Sequence, residues 1–150
     1  MKKVVTFGEL MLRLTPPGRE MILQTPNMVC TFGGAEANVA VAVSAYGDEA
    51  KFVTALPNND LGRAAVSELR RFGLDTSAIQ TSSKRLGLYF TETGSNMRPS
   101  KVIYDRAGSS IALAKREEFD WDKILDGADW FHFTGITPAL GGEMPEVCLD

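Results

Sequence analysis

Histidine is nearly absent from this sequence, and zinc ligation by imidazole goes with it. The one histidine, His132, lies between Phe131 and Phe133, and the two cysteines, Cys30 and Cys148, are far apart. Such a set makes no zinc site, and His132 is expected to be a core side chain. Both cysteines stand in apolar company and read as buried free thiols, as in a reducing cytoplasm. Positive charge is not gathered anywhere: 16 Lys and Arg face 19 Asp and Glu, a net charge of −3. That argues against a nucleic-acid partner, which needs clustered cations to neutralise phosphates. Long apolar runs are also missing. Glu9 interrupts the run after Gly8, so neither a signal peptide nor a membrane span is expected. Three motifs are lacking as well. There is no Walker-type phosphate loop, no Gly-x-Ser-x-Gly elbow, and no third glycine to complete a dinucleotide fingerprint.

What is present reads as one globular α/β domain. The 150 residues are 44% hydrophobic and 23% charged, enough to bury roughly 70% of the unfolded surface. Residues 3 to 7 form a buried strand ending at Gly8. Pro16-Pro17-Gly18 and Thr25-Pro26-Asn27 break the chain. Residues 35 to 46 are nearly all Ala and Val, a buried helix by composition, with Gly47 at its end. Residues 51 to 56 read as a short strand. A helix follows, capped by Asn59 or Asp60, with Leu61, Ala65, Leu69 and Phe72 at helical spacing and Gly73 as its stop. This alternation argues for a parallel sheet. It lapses at 86–92 and 101–105, two strand-like runs around Gly94–Pro99 that predict an antiparallel hairpin. With residues 10 to 32 the hairpin could build a small separate sheet. Asp120 then caps a short helix through Leu125, Trp130 to Phe133 is a strand, and Gly135-Ile136-Thr137-Pro138 is the loop beyond it. A further helix opens at Glu143 and is cut within two turns at Asp150. Its brevity predicts that the chain is the N-terminal part of a longer fold.

Three places could carry chemistry. Gly33-Gly34, just ahead of the Ala/Val helix, let a ligand approach backbone N–H groups at a helix N-terminus, or else only make a tight turn. Asn38 is a polar amide in an apolar helix; it holds a ligand hydroxyl or ties down a loop. Glu36, in the first turn, favours the helix dipole. In the hairpin, Tyr104 and Arg106 share one strand face, Asp105 points away, and Tyr89 on the partner strand could join them. Two phenols and a guanidinium suit a small polyhydroxylated acid, with Arg taking the carboxylate through paired hydrogen bonds. An ordinary half-exposed hairpin face is the alternative.

Together these residues resemble a known family. Gly8-Glu9, the segment from Gly33 to Ala40, and Asn59-Asp60-Leu61-Gly62 are similar to the ribokinase-like (PfkB) carbohydrate kinases. Arg85 to Phe90, Val102 to Arg106 and Gly135 to Leu140 resemble the branch acting on 2-dehydro-3-deoxygluconate. The resemblance implies a doubly wound α/β core under a small β-sheet lid, with lid segments at about 10–32 and 86–106. It implies transfer of the ATP γ-phosphate to the sugar acid, with Mg²⁺. The implied sugar contacts are Gly33, Gly34, Ala35, Glu36, Ala37, Asn38, Tyr89, Tyr104, Asp105, Arg106 and Ile136, with Arg106 on the carboxylate. It further implies a cytoplasmic enzyme paired through its lids into a homo-oligomer. Thr54 and Pro57 stand where glycines are common in the family. The family's Gly-x-Gly-Asp segment, with its aspartate base, and its adenine site have no counterpart here. The base is therefore expected beyond Asp150, no catalytic residue is expected in these 150, and the chain alone is expected to be inactive. A kinase for fructose or ribose, a non-catalytic sugar-binding or dimerisation module, and more distantly a dehydrogenase are the competing readings.

Overall fold

A computed structural model describes residues 1–149. Asp150, at which the last helix was expected to be cut and beyond which the catalytic base is expected, lies outside the described residues. Strand β1 (Lys3–Phe7) lies in the middle of a parallel three-stranded sheet. On one side it pairs with Glu49–Val53, on the other with Trp130–His132, strands β4 and β9 of the chain. Alternate side chains leave opposite faces of such a sheet. Val5, Phe7 and Val53 pack with Ile111, Phe119, Ile124 and Met144, while Ala50 and Phe52 pack with Ala37, Ala40, Ala65 and Leu69. Burial on both faces explains why β1 lacks polar alternation.

The second layer holds α1 (Ala35–Ala45) and α2 (Asp60–Arg71). The expected buried helix at 35–46 is only half so: Glu36, Ala37 and Ala40 are enclosed, whereas Ala42, Ala45 and Tyr46 are not. Its small residues would permit close packing on any face, but only one face meets the sheet. The expected strand at 51–56 is two. It divides at Thr54 into β4 and β5 (Ala55–Pro57), and β5 pairs with β6 (Gln80–Ser82). The division follows a change of partner, because Val53 still pairs with Phe7 while the Thr54 carbonyl accepts from Gln80 N at 2.8 Å. Helix α2 starts where the sequence places it: Asn59 Oδ1 accepts from Gly62 N at 3.1 Å. Gly73, at φ +79°, lets the chain turn away at its end.

A second, four-stranded sheet stands beside this core. Its strands are β2 (Met11–Thr15), β3 (Val29–Gly33), β7 (Gly87–Glu92) and β8 (Lys101–Asp105), in the order β3-β2-β7-β8. The hairpin read at 86–106 is present as the antiparallel β7–β8 pair, and β2 joins β7 in parallel. Gly8–Leu10 connects β1 to β2, and Gly34 alone separates β3 from α1. Helix α3 (Trp121–Leu125) is capped by Asp120, whose Oδ1 accepts from Lys123 N at 3.2 Å. A short α4 (Met144–Val147) closes over the first apolar layer.

Three isolated residues depart from expectation. Cys30 is exposed, because β3 is an edge strand with β2 on one side only. Cys148 is half-buried, and burial, with a smaller push from the Glu36 charge, raises its thiol above the ordinary value. His132 is half-buried on the edge strand β9, its Nε2 enclosed without a hydrogen-bond partner among the described residues.

Candidate functional site

The four-stranded sheet, the start of α1, the β1–β2 connection and the loop after β9 meet around a cavity of about 170 Å³. Helix α1 opens it. Gly34 occupies the N-cap position without a side-chain cap, so the first N–H groups of α1 are uncapped at the edge of the space that Gly34, Ala35 and Glu36 line. Its backbone is extended, at φ −171°, so positive φ is not what requires glycine there. A Cβ at Gly34 would lie 2.1 Å from the Glu9 carbonyl oxygen; two backbones touch, and a methyl has no room. A Cβ at Gly33 would likewise fall 2.3 Å from the Tyr89 hydroxyl.

Strands β7 and β8 supply the opposite wall. Tyr89 and Tyr104 are directly opposed in the antiparallel register, and their rings stack with centroids 5.8 Å apart. The Arg106 guanidinium lies 5.5 Å from the Tyr104 ring centre, close enough for cation–π attraction. Its Nε donates to Glu9 Oε2 at 2.7 Å, and Nη2 contacts the same oxygen. Glu9 Oε1 accepts from Ser109 Oγ at 2.7 Å. Glu9 is 4% exposed, so this buried carboxylate is compensated on both oxygens, as a buried charge must be.

The cavity collects Gly33, Gly34, Ala35, Glu36, Asn38, Tyr89, Tyr104, Arg106 and Ile136. Two candidates lie elsewhere. Ala37 points into the core between α1 and the main sheet. Asp105 faces away and binds Arg85 with two hydrogen bonds, at 2.7 and 2.9 Å; the Arg85 hydrogen bond holds its carboxyl below the usual range. Two more candidates sit in the cavity with altered character. Asn38 is exposed, so its amide has no buried hydrogen bond to satisfy. Glu36 is buried and does more than complement the helix dipole. Its Oε1 accepts from Thr134 N at 3.1 Å, Thr134 Oγ1 at 2.5 Å and Thr137 Oγ1 at 3.2 Å, tying the loop after β9 to α1. That loop brings Ile136 to the rim. Arg106 and Ile136 also border a larger, mostly apolar hollow of about 530 Å³ toward Leu113 and Ala139.

Glu9 and Met11 line the cavity without having been named among the site contacts expected from the sequence. Met11 carried no signal. Glu9 carried one: a lone charge between the buried Phe7 and Leu10 must find partners elsewhere in the fold. Among the described residues no group of three His, Cys, Asp or Glu is placed to hold a metal ion. The cavity is also smaller than the ~300–1,000 Å³ typical of cofactor pockets.

The sequence profile of the pfkB family carbohydrate kinases matches residues 1–149. A 2-dehydro-3-deoxygalactonokinase of Haloferax volcanii is 40% identical over 145 residues, covering 97% of this chain and 45% of its own length. Probable fructokinase-3 of Arabidopsis thaliana is 31% identical over 136 residues, 89% of this chain and 39% of its own. Among solved structures, a 2-dehydro-3-deoxygluconokinase of Thermotoga maritima superimposes with a TM-score of 0.98 at 58% identity, covering 100% of this chain and 46% of that one. The chain therefore spans somewhat less than half the length of these relatives.

Proposed function

This chain belongs to the pfkB family of carbohydrate kinases, and from that premise we propose that it is the acceptor-binding part of a kinase for 2-dehydro-3-deoxygluconate. The observation carrying this reading is Arg106. Among the described residues it is the one guanidinium lining the cavity, beside two phenols and the uncapped start of α1. Arginine matches a carboxylate with two parallel donors. In this reading Arg106 takes the sugar-acid carboxylate, Tyr89 and Tyr104 bond hydroxyls, and the α1 N–H groups receive a sugar oxygen. Ile136 packs against the sugar's carbon face. The kinases named above for 2-dehydro-3-deoxy sugar acids support this choice. The β3-β2-β7-β8 sheet acts as the lid.

Phosphoryl transfer depends on aligning the acceptor hydroxyl and neutralising charge on the moving group. The described residues do the first: they hold and orient the acceptor and shield it from water. They do not fit the donor side. In this reading the donor side belongs to the rest of the family fold, since the chain spans less than half the length of its relatives. ATP and Mg²⁺ are accordingly assigned to sequence beyond Asp150, with the base that deprotonates the acceptor hydroxyl. The 150 residues alone should not turn over substrate. We place the enzyme in the cytoplasm on the strength of its family membership.

A neutral-sugar kinase is the second reading, supported by the fructokinase similarity. Steady-state assays of the full-length gene product with ATP and Mg²⁺ separate the two. The sugar-acid reading requires 2-dehydro-3-deoxygluconate or its galactonate epimer to be preferred over fructose and ribose. Preference for fructose would overturn it.

A further inference from the structure

We infer that Glu9 is a specificity-determining positioning residue that presents one chosen edge of the Arg106 guanidinium to the ligand. The inference rests on the sugar-acid reading above and concerns a residue to which that reading gives no contact.

A guanidinium offers two edges for paired hydrogen bonding, Nε with Nη2 and Nη1 with Nη2. Glu9 Oε2 occupies the first. The second, end-on edge has no protein partner among the described residues. Arg106 has three rotatable bonds beyond Cβ, and an unrestrained arginine would sample many directions across an open rim. Here the Tyr104 ring limits it from one side and Glu9 from below. Only the end-on edge is then left for a carboxylate.

Glu9 is itself held. Ser109 Oγ bonds its Oε1 at 2.7 Å, and a Cβ at Gly87 would come within 2.6 Å of the same oxygen. Its backbone oxygen touches Gly34. Residue 9 lies between β1 and β2, Gly34 between β3 and α1, Gly87 at the start of β7, and Arg106 to Ser109 just beyond β8. The carboxylate therefore sits where these four passages of chain converge. Its charge offsets that of Arg106, so discrimination between an acid and a neutral sugar depends on the direction of the guanidinium as well as on charge. An arginine aimed elsewhere would attract the acid without pairing with it.

The test uses the full-length gene product with 2-dehydro-3-deoxygluconate and fructose as acceptors. Positioning predicts that Glu9→Asp, which keeps the charge but withdraws it by one methylene, raises KM for the acid about tenfold. Glu9→Gln, which keeps an oxygen at the right reach, should raise it only about threefold, because the amide can still accept from Nε while Ser109 turns to accept from the amide. Neither should move kcat by more than about threefold or alter the fructose KM comparably. In the double variant Glu9→Asp/Arg106→Ala, the acid KM should be no higher than in Arg106→Ala alone. The reverse ranking, with Asp benign and Gln severe, would show that charge matters and aim does not, and would overturn the inference. Additive losses in the double variant would overturn it too. If Arg106→Ala damages acid and fructose equally, the sugar-acid reading fails first and takes this inference with it. If Arg106→Ala is selective and Glu9→Asp is silent, the inference alone fails.

Discussion

Arg106 and Gly34 carry the residue-scale consequences. Removing the guanidinium by Arg106→Ala should lower kcat/KM for the sugar acid by about a hundredfold or more, since the carboxylate then enters the site without its partner. Loss for fructose should stay within about tenfold. Parallel steady-state assays read the difference. Gly34→Ala pushes a methyl into the Glu9 carbonyl, which as backbone cannot rotate away. We expect a stability loss of about 1–3 kcal/mol by thermal melting, as for other overpacked positions, together with weakened sugar binding by calorimetry. At this scale the sequence is legible where chemistry depends on residue type. Two tyrosines and an arginine on facing strands announce themselves, and so does a double glycine before a helix. It is illegible where the fate of a side chain depends on a distant segment. Asn38 reads as a buried amide because its neighbours are apolar, but the helix turns it outward. Glu36 reads as a carboxylate complementing the helix dipole, and its tie to the loop after β9 is hidden because its partners are almost one hundred residues away.

Helix α1 shows what an element inherits from its surroundings. Its Ala/Val sequence announces a helix with close packing but says nothing of which face is covered. One enclosed side chain, Glu36, fastens it to the loop after β9. Glu36→Ala would leave the Thr134 amide and hydroxyl short of an acceptor and the Thr137 hydroxyl with only the Phe7 carbonyl, at 3.4 Å. We expect a cost of about 2–3 kcal/mol in chemical denaturation, the range for hydrogen bonds to a buried charge, along with faster amide exchange through 134–137. Glu36→Gln, which preserves one acceptor oxygen, should recover most of that. Helix α2 is the contrasting case. Its cap, its amphipathic spacing and its terminal glycine are all local, so Asn59, Leu69 and Gly73 were sufficient to delimit it. The division at Thr54 was invisible for the opposite reason. An apolar run looks the same whether or not it changes partner midway.

For the whole molecule, surface charge and edge strands set the expectations. Asp105, Asp129 and Glu143 are each held below their ordinary values, chiefly by hydrogen bonds from Arg85, Lys2 and Lys115. A carboxyl lowered on folding stabilises the fold above its unfolded pKa, near 3.8 for Asp and 4.5 for Glu. That contribution is lost as pH falls through the lower folded value. Stability should therefore decline on acidification below about pH 4.5. The decline should flatten in about 1 M salt, because these pairs are exposed and screened. Denaturation midpoints across pH at two ionic strengths check this. Strand β8 is an edge strand whose Val102 and Ile103 are 45% and 42% exposed. Such an edge is a template for pairing, and it is the edge to test for the lid-to-lid pairing that the family resemblance implies. If the full-length protein pairs through this edge, Ile103→Lys should shift it toward monomer in sedimentation equilibrium while leaving the fold intact; an unchanged mass would count against pairing here.

Gly34 has a mechanical side. It is the single residue between a strand of the upper sheet and the helix whose uncapped first N–H groups lie at the edge of the cavity. A fulcrum that short stores almost no slack. Tilting the sheet must swing the first turn of α1, and anything that pins that turn must fix the tilt. In the proposed site, grip on the acceptor and the angle between the two sheets would thus be coupled through this one residue, read from either end.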